Sequence, residues 1–131
     1  MTVNSGATLV SSGYNISVSD KAYVFGNFNL TSGSVLNFTS IGGFEGDSIG
    51  DFNAIGEEDN RVLVTGNSGW NFYTDMNVTG NYSTFEFMNM FEAHEYRSVY
   101  NPVVSFQNSI FQNTSSDHVV ILLSDNLVEF K

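Results

Sequence analysis

The sequence predicts an all-β fold, a parallel β-solenoid of about five short rungs, with an antiparallel β-sandwich as the alternative. Apolar residues recur at short intervals near the N-terminus, and turn-forming residues separate them. The C-terminal stretch repeats one pattern, because Phe-Gln-Asn at residues 106–108 returns at residues 111–113. Strands this short suit solenoid rungs or a sandwich of small strands better than long hairpins.

The N-terminal segment alternates short apolar stretches with turns. Its apolar centres are separated by 7, 8, 6 and 6 residues and lie at Leu9, Ile16, Val24, Leu30 and Leu36. Between them lie Ser, Asp, Asn and Gly, which favour turns because Gly accepts a positive φ and Asn and Asp bond to their own backbone. We therefore expect strands of only a few residues.

The tetrapeptide Val-x-Gly-Asn occurs at residues 24–27, 64–67 and 78–81. One interpretation is a corner that is used again each time the chain returns to the same place one rung later. The other is that Gly-Asn is simply a common hairpin turn in an Asn-rich chain. The tetrapeptide alone does not decide between them.

Residues 42–60 interrupt the pattern and are rich in glycine and carboxylates. The segment has six carboxylates, at Glu45, Asp47, Asp51, Glu57, Glu58 and Asp59. We predict an insertion that leaves the coil as an acidic surface loop. Because calcium binds several oxygen ligands, this loop is also a candidate calcium site, although its spacing differs from the known helix–loop–helix calcium loop. The ligands would be Asp47, Asp51, Glu57, Glu58 and Asp59, and no other cofactor is predicted.

Residues 84–97 fit two structures. Phe85 and Met88 share one face of a helix, whereas Phe85, Phe87 and Phe91 alternate as in a strand. Both interpretations stay open.

The densest group of acid/base side chains follows at residues 92–97, which include Glu92, His94, Glu95 and Arg97. These groups could form an acid/base site, but a solvated charged segment is the simpler interpretation. The other histidine, His118, is isolated at a predicted turn. The sequence has no His-Glu-x-x-His pattern, phosphate loop or Gly-x-Ser-x-Gly elbow. We therefore assign no catalytic residue and expect a protein that is not an enzyme.

The apolar run near the C-terminus is predicted to lie in the last rung, at an edge that contacts other copies. The expected edge residues are Val119, Val120, Ile121, Leu122, Leu123, Leu127 and Phe130. The run is too apolar for a strand that has one solvent-exposed face. We expect both of its faces to be covered, the outer one by another subunit or by residues 84–97.

Residues 108–113, Asn-Ser-Ile-Phe-Gln-Asn, resemble the repeat of right-handed parallel β-helix proteins. These include the pectate-lyase-like superfamily and cell-surface proteins with Phe-x-x-Asn-type repeats. The resemblance implies inward apolar residues that stack from rung to rung, and asparagines that form amide ladders at corners. It implies no single function, because enzymes, adhesins and structural polymers share the fold. This chain departs from the enzymes by its short length and its lack of their basic catalytic cluster.

Composition restricts the partners. The chain of 131 residues fits one domain, 1–131, and 14 acidic against four basic residues give a formal charge of -10. Such a chain repels phosphate backbones and anionic lipid, so we expect no nucleic acid partner and no membrane insertion.

We also find no signal-peptide pattern at the N-terminus. The absence of cysteine excludes a disulfide framework and a thiolate metal site.

Asparagines in Asn-x-Ser/Thr sequons point to an outer surface. They are Asn15, Asn29, Asn37, Asn77, Asn81 and Asn113. In an exported protein such residues accept glycans. We therefore expect an extracellular or cell-surface glycoprotein.

The function expected from these features is that of a structural subunit. It would self-assemble through β-strand contacts, as a homopolymer, into an extracellular filament, sheath, surface layer or fibre. The alternative is a carbohydrate-binding or adhesin module that binds glycans on aromatic side chains, with Trp70, Phe72, Tyr73 and Tyr82 as candidates and most Phe residues inside. A further alternative is a polysaccharide-degrading enzyme with paired carboxylates such as Glu92 and Glu95.

Overall fold

The computed structural model describes residues 1–47, 50–67, 69–93, 102–113, 120–123 and 128–130. They form seventeen β-strands, numbered in chain order, in three parallel sheets. Sheet A contains β1 (Thr2–Val3), β4 (Lys21–Val24), β7 (Gly43–Gly46), β10 (Trp70–Thr74), β13 (Met88–Ala93) and β16 (Val120–Leu123). Sheet B contains β2 (Thr8–Ser12), β5 (Asn27–Thr31), β8 (Asp51–Ile55), β11 (Asn77–Asn81), β14 (Val104–Gln107) and β17 (Val128–Phe130). Sheet C contains β3 (Asn15–Val18), β6 (Val35–Phe38), β9 (Val62–Gly66), β12 (Ser83–Glu86) and β15 (Ile110–Gln112).

Each turn of the chain adds one strand to every sheet. A strand pairs in parallel with the strands three positions before and after it, as β4 does with β1 and β7. Within the described residues the chain completes five three-strand rungs, and β16 and β17 continue sheets A and B into a sixth. The predicted parallel β-solenoid is confirmed. The antiparallel sandwich is wrong, because the strand pairs of all three sheets are parallel.

No helix that is long and apolar enough to cross a membrane occurs in the described part of the chain.

The interior consists of side chains that stack in register. Residues along each strand alternate between inward and outward positions, so inward residues of paired strands lie directly beside one another. In sheet A the rings of Phe44 and Phe72 stack at a centroid distance of 4.3 Å, and those of Phe72 and Phe91 at 5.0 Å. All three rings are almost completely buried. Burial of each such ring contributes about 1.5–3 kcal/mol to folding.

Large and small side chains compensate for one another between rungs. Gly80 of β11 is the register partner of Phe106 of β14, and a Cβ atom on Gly80 would lie 2.5 Å from that ring. The ring of Phe106 packs edge-on against Phe85, Phe91 and Phe111, at centroid distances of 5.5, 5.5 and 5.0 Å. The missing side chain at Gly80 therefore makes room for the aromatic residue one rung later.

The predicted acidic loop over residues 42–60 is wrong for most of its length. Both β7 and β8 lie in this segment and pair in register with their neighbours. Phe44, Phe52 and Ala54 are buried, and the polar residues between them alternate outward. The carboxylates misled the prediction because they occupy outward strand positions as well as loops. Residues 56–61, which connect β8 to β9, do form a loop.

For residues 84–97 the strand interpretation is confirmed over the described part, and the helix is wrong there. β12 and β13 cover residues 83–93, with a corner at Phe87 between them. Residues 94–97 lie outside the described residues. We expected residues 84–97 to cover one face of the apolar run at residues 119–123. Instead, residues 90–93 of β13 pair edge to edge with residues 120–123 of β16.

The three Val-x-Gly-Asn tetrapeptides occupy three different places. Residues 24–27 span the corner between β4 and β5, residues 64–67 end β9, and residues 78–81 lie inside β11. The interpretation of one reused corner is therefore wrong.

The corners that do repeat use a left-handed backbone. Asn108 and Asn113, at the end of the two Phe-Gln-Asn repeats, have φ of 49° and 53°. One rung earlier, Tyr82 and Phe87 occupy the equivalent places with φ of 46° and 57°. Asparagine adopts this conformation readily, whereas bulky residues rarely do.

Replacing Phe72 by alanine is expected to lower the free energy of unfolding by about 3–5 kcal/mol. Its ring contacts those of Phe44, Phe52 and Phe91, so the substitution leaves a cavity in the stack. Chemical denaturation followed by circular dichroism measures the change. The control is Tyr14→Ala at a residue that is 73% exposed, which should change stability by less than about 0.5 kcal/mol. Similar losses in the two variants would argue against a stacked aromatic interior.

Candidate functional site

Outward side chains form rows along the solenoid axis, and on sheet B some of them are hydrogen-bonded from one rung to the next. Nδ2 of Asn53 donates to Oδ1 of Asn29 at 2.9 Å, and Nδ2 of Asn77 donates to Oδ1 of Asp51 at 2.9 Å. Oδ1 of Asn77 accepts the backbone N–H of Val103 at 2.9 Å. These bonds join neighbouring rungs but lie in two different rows, and only the one between Asn53 and Asn29 joins two amides. A continuous amide ladder at the corners, as the resemblance implied, stays a prediction.

The six sequon asparagines are all at least partly exposed. Asn29 is hydrogen-bonded to Asn53 and Asn77 to Asp51, and Oδ1 of Asn81 accepts a hydrogen bond from Nδ2 of Asn108 at 3.1 Å. Asn15 and Asn37 lie on the outer face of sheet C, and Asn113 follows β15. A glycan on Asn77 would attach to the same Nδ2 that donates to Asp51. Attachment of glycans stays a prediction.

Sheet A carries a row of alternating tyrosines and glutamates. Tyr23, Glu45, Tyr73 and Glu92 are register partners on successive strands. Nζ of Lys21 lies 3.1 Å from Oε2 of Glu45 and 6.0 Å from the centre of the Tyr23 ring. The hydrogen bond that the Lys21 ammonium donates to the Glu45 carboxylate raises the pKa of Lys21. Because both side chains are nearly half exposed, the ion pair adds little to stability.

The predicted calcium ligands do not form one ligand set. Asp47 follows β7 and Asp51 begins β8, whereas Glu57, Glu58 and Asp59 follow the other end of that strand. The strand rise puts about 13 Å between the backbones of Asp51 and Ile55, the two ends of β8. Among the described residues, no three His, Cys, Asp or Glu side chains are grouped to hold a metal ion.

The predicted aromatic platform is not formed as one unit. Trp70 and Phe72 are completely buried, and Nε1 of Trp70 donates to the backbone carbonyl of Glu86 at 2.8 Å. Tyr73 and Tyr82 are partly exposed, but the first lies on sheet A and the second at the corner between β11 and β12. The expectation that most Phe residues lie inside is confirmed for the described residues.

The residues predicted as an assembly edge lie at sheet edges where the structure describes them. β16 is the last strand of sheet A and β17 the last of sheet B. These strands contain Val120, Ile121, Leu122, Leu123 and Phe130. Val119 and Leu127 lie outside the described residues.

Of the acid/base group, Glu92 lies on the outer row of β13 and is partly buried. His94, Glu95 and Arg97 lie outside the described residues, as does His118. Of the two carboxylates that the enzyme alternative pairs, Glu92 lies within the described residues and Glu95 does not.

A groove on the outer face of sheet C brings polar side chains from three rungs beside one exposed aromatic ring. Its volume is about 370 Å³, and we call it the sheet C groove. It is lined by Asn15, Ser17, Val35, Asn37, Thr65, Gly66, Asn67 and Phe87. Among the described residues, none that line the groove carries a formal charge.

The backbone of Phe87 is held at one end of this groove. Its N–H donates to the carbonyl of Gln112 at 3.2 Å, and its carbonyl accepts the N–H of Trp70 at 3.2 Å. The residue is 41% exposed even though its ring is large and apolar. The left-handed backbone costs about 1–2 kcal/mol for such a residue. These two hydrogen bonds therefore hold Phe87 in an unfavourable backbone conformation that leaves its ring exposed.

Arg61 joins three rungs at the corner between sheets B and C. From the loop before β9, its Nε donates to Oγ1 of Thr84 at 3.1 Å and its Nη2 to the carbonyl of Ser83 at 3.0 Å. Nη2 also donates to the carbonyl of Asn108 in the next rung. Its guanidinium lies 5.9 Å from the centre of the Tyr82 ring, a cation–π contact. These contacts of Arg61 stabilise the corner at which Tyr82 adopts a left-handed backbone.

A scan of protein-family models, a search of curated proteins and a search of solved structures each found no match to this chain. Its own strand pairing shows the parallel β-solenoid. Membership of the pectate-lyase-like superfamily stays a prediction.

Sequence reasoning missed both Phe87 and Arg61 as site residues. One signal was present, because Tyr82 and Phe87 are spaced as Asn108 and Asn113 are, at an offset of 26 residues. Aligning the two segments would have placed bulky aromatics at corners where the next rung has asparagine. No comparable sequence signal marks Arg61.

Replacing Arg61 by glutamine is expected to lower the free energy of unfolding by about 1–3 kcal/mol, because the variant loses the hydrogen-bonding fork across three rungs. Arg61→Lys should recover only part of the loss, since a lysine cannot reproduce the fork. Lys21→Gln is the control, as its exposed ion pair is worth less than about 1 kcal/mol. Denaturant titration compares the three variants. Equal stability of Arg61→Gln and the parent would exclude this role.

Proposed function

We propose that this chain is a structural subunit that assembles through β-strand contacts into an extracellular filament, sheath, surface layer or fibre. The observation that carries the proposal is the open edge at each end of the solenoid. Within the described residues, β1, β2 and β3 pair on one side only, and so do β15, β16 and β17 at the other end.

Open edges favour association because their backbone N–H and C=O groups lack strand partners on one side. All three sheets are parallel, so both ends present strands that run in the same direction. A second copy therefore fits with its β1 beside β16 and its β2 beside β17, and it continues both sheets without reversal. Such a head-to-tail contact does not close on itself and repeats into a filament.

Partly exposed apolar residues at the first rung support the same contact. Phe28 and Leu36 in the second rung are completely buried. Their register partners in the first rung, Leu9 and Ile16, stay partly exposed because each has a stacked neighbour on one side only. Covering them with another rung would add hydrophobic stabilisation to the hydrogen bonds of the edge.

An extracellular setting is supported by the sequon asparagines, all of which lie on the surface to some degree. The outer rows of amides and hydroxyls on sheet B suit a protein whose sides stay in water while its ends are covered.

We expect the 131-residue chain to form larger species as its concentration rises, in sedimentation velocity and electron microscopy. Leu9→Lys puts a charge on the inward side of the first rung. It should raise the concentration needed for assembly by about tenfold or more, because burying an unpaired charge is costly. Circular dichroism confirms that the variant folds.

The matched control is Val10→Lys, at the next residue, which points outward and is 59% exposed. This variant should assemble like the parent. A parent chain that stays monomeric at all concentrations, or equal assembly of the two lysine variants, would rule out the proposed contact.

A further inference from the structure

We propose that the sheet C groove binds a neutral oligosaccharide, with the ring of Phe87 as the stacking surface and side-chain amides as hydrogen-bonding partners. The groove lies on the side of the solenoid. The inference is therefore independent of the assembly proposed above, which uses the ends.

The polar lining matches the chemistry of sugar hydroxyls. Asn15, Asn37 and Asn67 each carry a carbonyl acceptor and an NH₂ donor, and Ser17 carries a hydroxyl that does both. The hydroxyl of Thr65 donates to Oε2 of Glu86 at 3.4 Å and so presents an acceptor to a ligand. A sugar hydroxyl also donates and accepts, so the amides and Ser17 can pair with it in either direction. They come from β3, β6 and the end of β9, which are neighbours in sheet C. The groove therefore runs along the axis and suits a chain of several sugars.

Phe87 supplies the apolar contact that a sugar ring needs. The C–H face of a sugar packs on an aromatic ring, and Phe87, which lines the groove, is 41% exposed. Its φ of 57° is unfavourable for phenylalanine, whereas Asn113 takes the equivalent place in the next rung with φ of 53°. An exposed ring gains little from packing inside the protein. A ligand that stacks on it accounts for both its exposure and its strained backbone.

Charge favours a neutral ligand. The groove residues carry no formal charge, and the net charge of -10 opposes anionic glycans and nucleic acid. A purely apolar ligand would remove the amides and hydroxyls from water without giving them hydrogen-bonding partners. The lining therefore fits a neutral sugar better than either of these classes.

The test is an NMR titration of ¹⁵N-labelled protein with cellohexaose, xylohexaose and mannohexaose. Asn15 and Asn37 are also sequon asparagines, so a glycan attached to either would fill the groove, and the protein is made in a host that adds none. At least one hexasaccharide should shift the side-chain amide signals of Asn15, Asn37 and Asn67. Those of Asn29 and Asn53 on sheet B should stay in place. Absence of groove shifts at millimolar concentrations of every sugar, or equal shifts on both sheets, would overturn the proposal.

Phe87→Asn separates binding from folding. Because Asn113 fits the equivalent corner, the variant should keep or raise the melting temperature, yet bind the sugar about tenfold or more weakly. Phe87→Trp should retain binding. The matched control is Tyr82→Asn, which relieves the same kind of backbone strain outside the groove and should bind like the parent. Unchanged affinity of Phe87→Asn, or an equal loss in Tyr82→Asn, would show that the ring is not the stacking surface.

Discussion

Each rung of this protein must follow the path of the rung before it, because parallel strands about 4.8 Å apart pair only when their backbones stay in register. This constraint determines the interior. An inward side chain has its register partners as neighbours, so the rings of Phe44, Phe72 and Phe91 stack, and Gly80 leaves room for Phe106. It also separates two kinds of surface. The ends expose backbone edges that suit another copy, whereas the sides expose rows of side chains that suit a soluble ligand.

The corners are where the chain departs from the repeat without disturbing the stack. Residues 56–61 leave as a loop, and Arg61 at its end bonds to the two following rungs. Tyr82 and Phe87 turn with the left-handed backbone that Asn108 and Asn113 use one rung later. Phe87 places an exposed ring beside the amides of sheet C as a result. In the proposed functions, the end rungs connect copies while such a corner supplies a binding surface, so one molecule can do both.

The fold could be predicted from the sequence because its strongest signals are local. The apolar centres from Leu9 to Leu36 all prove to be inward positions. Residues 42–60 were misread because carboxylates on outward strand positions hid the buried Phe44 and Phe52. The groove was beyond prediction, since it collects residues from separate rungs and the rung length is not constant. Register partners are 19 residues apart at Thr8 and Asn27 but 28 apart at Val35 and Leu63.

Cross-linking across neighbouring rungs tests the in-register stack most directly, because the chain has no cysteine of its own. Thr79 of β11 and Ser105 of β14 are register partners, so their Cα atoms lie about 4.8 Å apart, within the range of a disulfide. Asn53 of β8 is one strand further away from Ser105, at about 9.6 Å. The double variant Thr79→Cys/Ser105→Cys should form an intramolecular disulfide under mild oxidation, and Asn53→Cys/Ser105→Cys should not. Failure of the first pair to close, or equal closure of both pairs, would contradict the stacked parallel rungs.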